Sequence, residues 1–240
     1  VGVPDPAHPE YRAALDRNGG TGPIIRVSGA NATLTIIGLT LTGAPGNGDG
    51  DGVTCASGAR LTVVNSTMTN NAHYGISSTL CTLVVDRTTI SNNSRGGGYV
   101  DGDFSFTNSF IVGNSGTSSF GGLDIADFGP LDVFAHNTVF DNTASGTPGG
   151  VRCAGTGTAR NNIIYGNAGA TAQHSGTCVH EYSLIGVNIV PGMGNIAAAA
   201  VDEIEFANIA SQPFDLHLTA GSIAFGKGGP NDGVGRTVRD

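Results

Sequence analysis

The chain has 240 residues, enough for one long domain or two ordinary ones. Its net charge is -8 with Lys227 as the single lysine, which argues against nucleic acid, whose phosphates demand stripes of Lys and Arg, and less strongly against a polyanionic polysaccharide. No apolar run approaches about 18 residues, so no transmembrane segment is expected, and Val1 without a preceding Met reads as a processed or trimmed start.

Residues 1–23 are irregular, with Pro4, Pro6, Pro9 and Pro23, and a short helix is expected over 8–15. An open solenoid end exposes unpaired edge groups, so this segment reads as an N-terminal cap. Strand-like runs follow at 24–27, 34–41, 53–69, 76–90, 99–112, 123–140, 151–165 and 179–185. Their β-branched content, as in Leu61-Thr62-Val63-Val64 and Leu83-Val84-Val85, favours strand. Glycine-rich clusters such as 46–52, 94–98 and 145–150 separate them, with lengths that vary while the runs keep their pattern. Solenoids tolerate such insertions because they go outward into solvent. The expected division is a cap over 1–23, a parallel β-helix over 24–190, and a segment over 191–240 packing on the solenoid.

A short pattern fixes the coils. Apolar Leu41, Met68, Ile90, Ile111, Val139 and Ile164 are each followed three residues later by Ala44, Asn71, Asn93, Asn114, Asn142 and Asn167. Two residues earlier stand Leu39, Ser66, Thr88, Ser109, Asn137 and Asn162. The asparagines from Asn71 to Asn167 are 22, 21, 28 and 25 residues apart, a solenoid period too short for a helix pair with its turns. The fold class is therefore all-β, with an inward aliphatic column. The asparagines are expected in a tight bend, with left-handed dihedrals and amides bonded from rung to rung.

Residues flanking each inward position face out by the period-two rule. They begin as Thr40/Thr42, Thr67/Thr69 and Thr89/Ser91 and become Phe110/Val112, Thr138/Phe140 and Ile163/Tyr165. A monomer rarely leaves such an apolar stripe wet, and 204–216 supplies matching apolar residues to cover it.

Four cysteines allow three connectivities. Cys55 with Cys81 and Cys153 with Cys178 lie about one coil apart, which places them on neighbouring rungs about 4.8 Å apart, within disulfide reach. Free buried thiols and metal binding are the rivals, the latter without a Cys-x-x-Cys spacing. Disulfides would place the protein outside the cytosol.

Asn65–Asn71, Asn108–Asn114 and Arg160–Asn167 resemble the repeats of right-handed parallel β-helix proteins of the pectate-lyase-like superfamily. Phe214–Gly226 is similar to the "D-F-H-L-x-P-G-S-P-A-I-x-x-G" ending of secreted bacterial proteins of the choice-of-anchor type, with Ala220 and Ile223 in place of the two prolines. The acidic end that often follows is absent, which reads as a chain stopping inside a longer protein. The resemblance implies a right-handed β-helix and secretion, while activity is poorly inherited on a fold that hosts enzymes and surface proteins alike.

Three constellations carry candidate chemistry. The column three before the inward residue includes Arg87 and His136, two rungs or about 10 Å apart, as a lyase would use them on one sugar. Asp101 and Asp103, expected on one strand face, with Asp124 and Asp127 about one coil on, form a glycosidase-like acidic cluster. Asp49 and Asp51 in the glycine-rich loop offer oxygen ligands suited to Ca²⁺. The leading expectation is a secreted or cell-surface module with a structural role or one in binding a polysaccharide or surface protein. The alternative is a carbohydrate-active enzyme, a polysaccharide lyase or glycoside hydrolase.

Overall fold

A computed structural model of the protein describes residues 13–46, 49–116, 120–146, 148–170, 173–187, 189–210 and 214–229. Three parallel sheets of eight, seven and seven strands run its length, with each strand bonded to its counterparts in the coils before and after. Within a coil the chain passes through a strand of the second sheet, then the third, then the first. One full coil is Val53–Ala56, Arg60–Val64 and Thr67–Thr69. The next begins at Tyr74–Thr79.

The inward column of the first sheet runs in register as Leu15, Leu41, Met68, Ile90, Ile111, Val139, Ile164 and Ile185. Leu41 to Ile185 are buried and, with the inward columns of the other two sheets, form one continuous core. The expected helix over 8–15 is not found where it can be seen. Ala13–Asp16 is a strand pairing parallel with Leu39–Thr42, so it begins the first sheet, while residues 1–12 of the expected cap lie outside the described residues.

The asparagine ladder is continuous, and its geometry corrects one expectation. The left-handed residue is the one before each rung, Asn70, Asn92, Gly113, Asp141 and Gly166, not the ladder asparagine itself. That bend turns Asn71, Asn93, Asn114, Asn142 and Asn167 inward, where all five are buried. Asn93 Nδ2 donates to Asn114 Oδ1 at 2.9 Å and to the Met68 carbonyl at 3.1 Å, while its backbone N–H donates to the same Oδ1 at 3.0 Å. The pattern repeats along the column and ends on Gln173, whose Oε1 accepts from Asn167 Nδ2 at 3.0 Å. Each amide thus satisfies backbone groups that the bend would strand in a dry interior.

A second ladder stands beside it, in the column two before the inward residue. Ser66, Thr88, Ser109, Asn137, Asn162 and Ser183 are all buried. The backbone N–H of each of the first five donates to the side-chain oxygen of the next, for example Ser109 N–H to Asn137 Oδ1 at 3.0 Å and Asn162 N–H to Ser183 Oγ at 3.1 Å. Asn195, beyond the last coil, closes it by accepting from Ser183 N–H at 3.0 Å.

Glycines at 75 and 97 permit the coils to stack this closely. A Cβ on Gly97 would sit 2.7 Å from Ile111 Cγ2 and 2.5 Å from the Gly122 carbonyl, and one on Gly75 would sit 2.5 Å from Ile90 Cγ2. Only a residue without a side chain fits beside the asparagine ladder here.

Both cysteine pairs are disulfides, Cys55–Cys81 and Cys153–Cys178, with Cα–Cα separations of 6.1 and 5.8 Å. Each joins a strand of the second sheet to the following coil. No helix among the described residues is long and apolar enough to cross a membrane.

Candidate functional site

The outer face of the first sheet carries a concave surface. Over its later coils the apolar stripe is covered. Val112, Phe140, Tyr165 and Leu184 are buried together with Ala198, Ile204, Phe206 and Leu216 in a second hydrophobic cluster. The cover includes an antiparallel pair, Phe206–Asn208 with Asp215–Leu218. Phe140 meets the rings of Phe206 at 5.3 Å and Phe214 at 5.8 Å, both edge-on, a favourable aromatic geometry. Residues 211–213 and 230–240 of this segment lie outside the described residues.

The cover stops short of the earlier coils, and where it stops a cleft of ≈ 510 Å³ opens. Thr67, Thr69, Thr89, Ser91 and Asn92 form its polar floor, while Phe110, Val112, Phe214 and Leu216 form its apolar wall. Ser91 Oγ donates to Thr69 Oγ1 at 3.0 Å across two rungs. No charged side chain is among the lining residues. An exposed pair stands at the rim: His217 Nδ1 lies 2.5 Å from Asp215 Oδ1, and the His217 ring meets Phe110 edge-on at 6.1 Å. The contact with His217 lowers the Asp215 pKa from its ordinary value.

A second, more polar hollow of ≈ 300 Å³ lies on the other side of the cover. Asn108, His136, Asn161 and Tyr182 contribute from one column, and Lys227 arrives from the C-terminal segment. That column is the corner between the third and first sheets, where Asn65, Arg87, Asn108, His136, Asn161 and Tyr182 all have φ between 48° and 59°. All six residues lie between strands, so side-chain alternation does not govern them. Arg87 does not enter this hollow; it pairs with Asp86 at 2.9 Å, and Asn108 Nδ2 donates to the same carboxylate at 2.8 Å. The Asn161 side-chain oxygen accepts from Gly229 N–H at 2.7 Å, tying the segment down. The approach of Lys227 is set by the path of the C-terminal segment and not by any local pattern around it.

The acidic candidates separate by environment. Asp101 ends a strand and Asp103 lies beyond Gly102, whose φ of 115° turns the corner, so the two do not share one strand face. Asp124 stands on the outer face of the second sheet between Tyr99 and Arg152. It is 1% exposed, and both its oxygens accept from Arg152, the Nε contact measuring 2.7 Å. That pairing raises the Arg152 pKa and engages each Asp124 oxygen in a charge-assisted hydrogen bond. Asp127 is exposed at an irregularity in the same strand. Of the calcium candidates, Asp49 pairs with Arg26 at 3.2 Å on the surface. Asp51 is buried, accepting from Thr54 Oγ1 at 3.0 Å and Tyr74 N–H at 3.1 Å, and burial raises its pKa. The two carboxylates therefore serve different partners.

Three stacked parallel sheets with a buried asparagine ladder define a parallel β-solenoid. The family model described as the right-handed beta helix region matches residues 23–189, and the chain belongs to that right-handed β-helix family. No curated protein and no solved structure matches it.

Proposed function

We propose that the protein is a non-enzymatic binding module of a secreted or cell-surface protein, and that the cleft beside Thr69 and Phe110 takes a neutral, extended glycan. The observation that carries this reading is the lining of the cleft. Sugars present hydroxyls at their edges and an apolar C–H face, and here a floor of hydroxyls faces a wall holding Phe110 and Phe214. Rungs about 4.8 Å apart repeat on the scale of a single pyranose, so successive threonines suit successive sugars. The net charge of -8 and the uncharged lining favour a neutral chain over a uronate. Two disulfides suit an oxidising compartment, and the similarity of Phe214–Gly226 to the ending of choice-of-anchor type proteins points the same way.

A second reading rests on the hollow holding His136 and Lys227, which together offer an imidazole and a cation to an acidic sugar. It would make the protein a carbohydrate-active enzyme of the lyase type, with Asn108, Asn161 and Tyr182 as positioning groups. A glycan array combined with reducing-sugar and unsaturated-uronate assays separates the two. Binding of neutral glycans without product, lost in Phe110→Ala and retained in Lys227→Ala, is expected. Release of unsaturated uronate that depends on His136 would replace the first reading by the second.

A further inference from the structure

Two inward columns that are apolar through the solenoid both end on histidine in the coil that carries Cys178. On the second sheet the column runs Val53, Ile76, Gly98, Leu123, Val151 and then His174. On the third it passes from Phe106 to Phe134 and, beyond Ala159, to His180. Imidazoles have no packing advantage over the aliphatic residues they succeed, and a buried polar group without a partner is costly. Yet His180 is 1% exposed, and Nδ1 of His174 and Nδ1 of His180 are both buried with no hydrogen-bond partner. The two rings stand 4.9 Å apart, edge-on.

These histidines lie against the second disulfide. Cys153 Sγ, Cys178 Sγ and an imidazole nitrogen of His180 are all within 4.8 Å of one another. His180 Nε2 is 3.6 Å from Cys178 Sγ. In a tetrahedral site with Zn–S near 2.3 Å and Zn–N near 2.0–2.1 Å, the S···N edge is about 3.6 Å. Among the described residues no other group of three such ligands is found, so the Cys55–Cys81 pair has no counterpart to His174 and His180.

We infer that the Cys153–Cys178 pair doubles as a redox-gated zinc site, closed as a disulfide and, once reduced, held by the two thiolates and His180, with His174, whose ring stands 4.9 Å from that of His180, swinging in as the fourth ligand. A dithiol supplies two electrons and two protons and becomes a disulfide, whereas a phosphine supplies the two electrons and becomes a phosphine oxide, with water giving its oxygen and the two protons; either way the Sγ–Sγ bond breaks to give two thiols. Zn²⁺ then displaces both thiol protons and takes the two thiolates and two neutral imidazole nitrogens. The site would hold the last coil together before the disulfide forms, when two thiols and two imidazoles otherwise stand side by side there.

The test uses the full chain reduced by a phosphine and titrated with Co²⁺ and then Zn²⁺. Reduced wild type should take up one ion per chain, with thiolate-to-metal charge-transfer bands and tetrahedral ligand-field bands that Zn²⁺ bleaches. The Cys55→Ser/Cys81→Ser variant should do the same. His180→Ala and His174→Ala should each weaken binding at least about tenfold. Cys153→Ser/Cys178→Ser and the oxidised wild type should show neither band. Equal binding by oxidised and reduced protein, or unchanged affinity in both histidine variants, would overturn the inference. So would a reduced chain that unfolds and is not refolded by the ion, since binding to a formed site must stabilise the fold.

Discussion

On the first sheet, the strands Leu39–Thr42, Thr67–Thr69 and Thr89–Ser91 turn hydroxyls outward, whereas Phe110–Val112, Thr138–Phe140 and Ile163–Tyr165 turn out aromatic and aliphatic side chains. Beneath both halves the inward column and the asparagine ladder continue without a break. Coil stacking is therefore settled from within, by burial and by the ladder's hydrogen bonds, and the outer face is free to change its chemistry. One half becomes a docking surface for the chain's own C-terminal segment; the other stays open at the edge of that segment. The cleft exists because the two halves meet.

The largest expected effect comes from removing the cover. Truncation after residue 195 should expose Val112, Phe140 and Tyr165, and each large apolar side chain it uncovers forfeits about 1.5–3 kcal/mol. The truncated protein should aggregate and bind a hydrophobic dye, while the threonine half gains no new apolar surface. A monomeric, equally stable truncation that binds no dye would break the comparison. Within the intact chain, Phe206→Ala removes the ring packed on Phe140 and should cost about 3 kcal/mol, read as a shift in denaturation midpoint.

Next in size are two ladder variants, one under each half. Asn93→Ala and Asn142→Ala each strand buried donors and acceptors in adjacent coils, at about 1–3 kcal/mol for each group left unpaired. Similar losses by chemical denaturation are expected, because the ladder is common to both halves. A large cost under the covered half alone would show that the cover, not the ladder, holds the coils.

The smallest stability change should come from exchanging the outer faces. Thr69→Val lies in the open half and should move stability by less than about 0.5 kcal/mol, yet weaken glycan binding through the lost hydroxyl. Val112→Thr, in the covered half, should cost about 1–2 kcal/mol by placing a hydroxyl in an apolar contact.

The solenoid was legible because one column holds an apolar residue and an asparagine at a fixed offset through coils of unequal length. The second ladder is equally periodic but less legible as a hydrogen-bonded structure, since Ser66, Thr88, Ser109 and Asn137 span three residue types and have in common only an oxygen at the same reach. Gly97 reads as part of the turn cluster 94–98, although it lies in a strand, where its role, like that of Gly75, is to admit the next coil. Arg87 and His136 share one column, as their common offset indicates, but at a left-handed corner rather than along a strand, so their surroundings differ from coil to coil. The pairing of Asp124 with Arg152 spans 28 residues across a loop of variable length, and nothing local in the sequence announces it. The hollow with Lys227 and the extent of the open cleft depend on where the C-terminal segment comes to rest, which is a matter of tertiary packing.

The division of the first sheet is tested most directly by hydrogen–deuterium exchange of the intact protein, with and without a saturating neutral oligosaccharide taken from the glycan array. The account predicts added protection over Thr67–Thr69, Thr89–Ser91 and Asp215–Leu218, with exchange unchanged around His136 and Asn161. Protection centred on His136, Asn161 and Lys227, with the threonine strands unaffected, would contradict it.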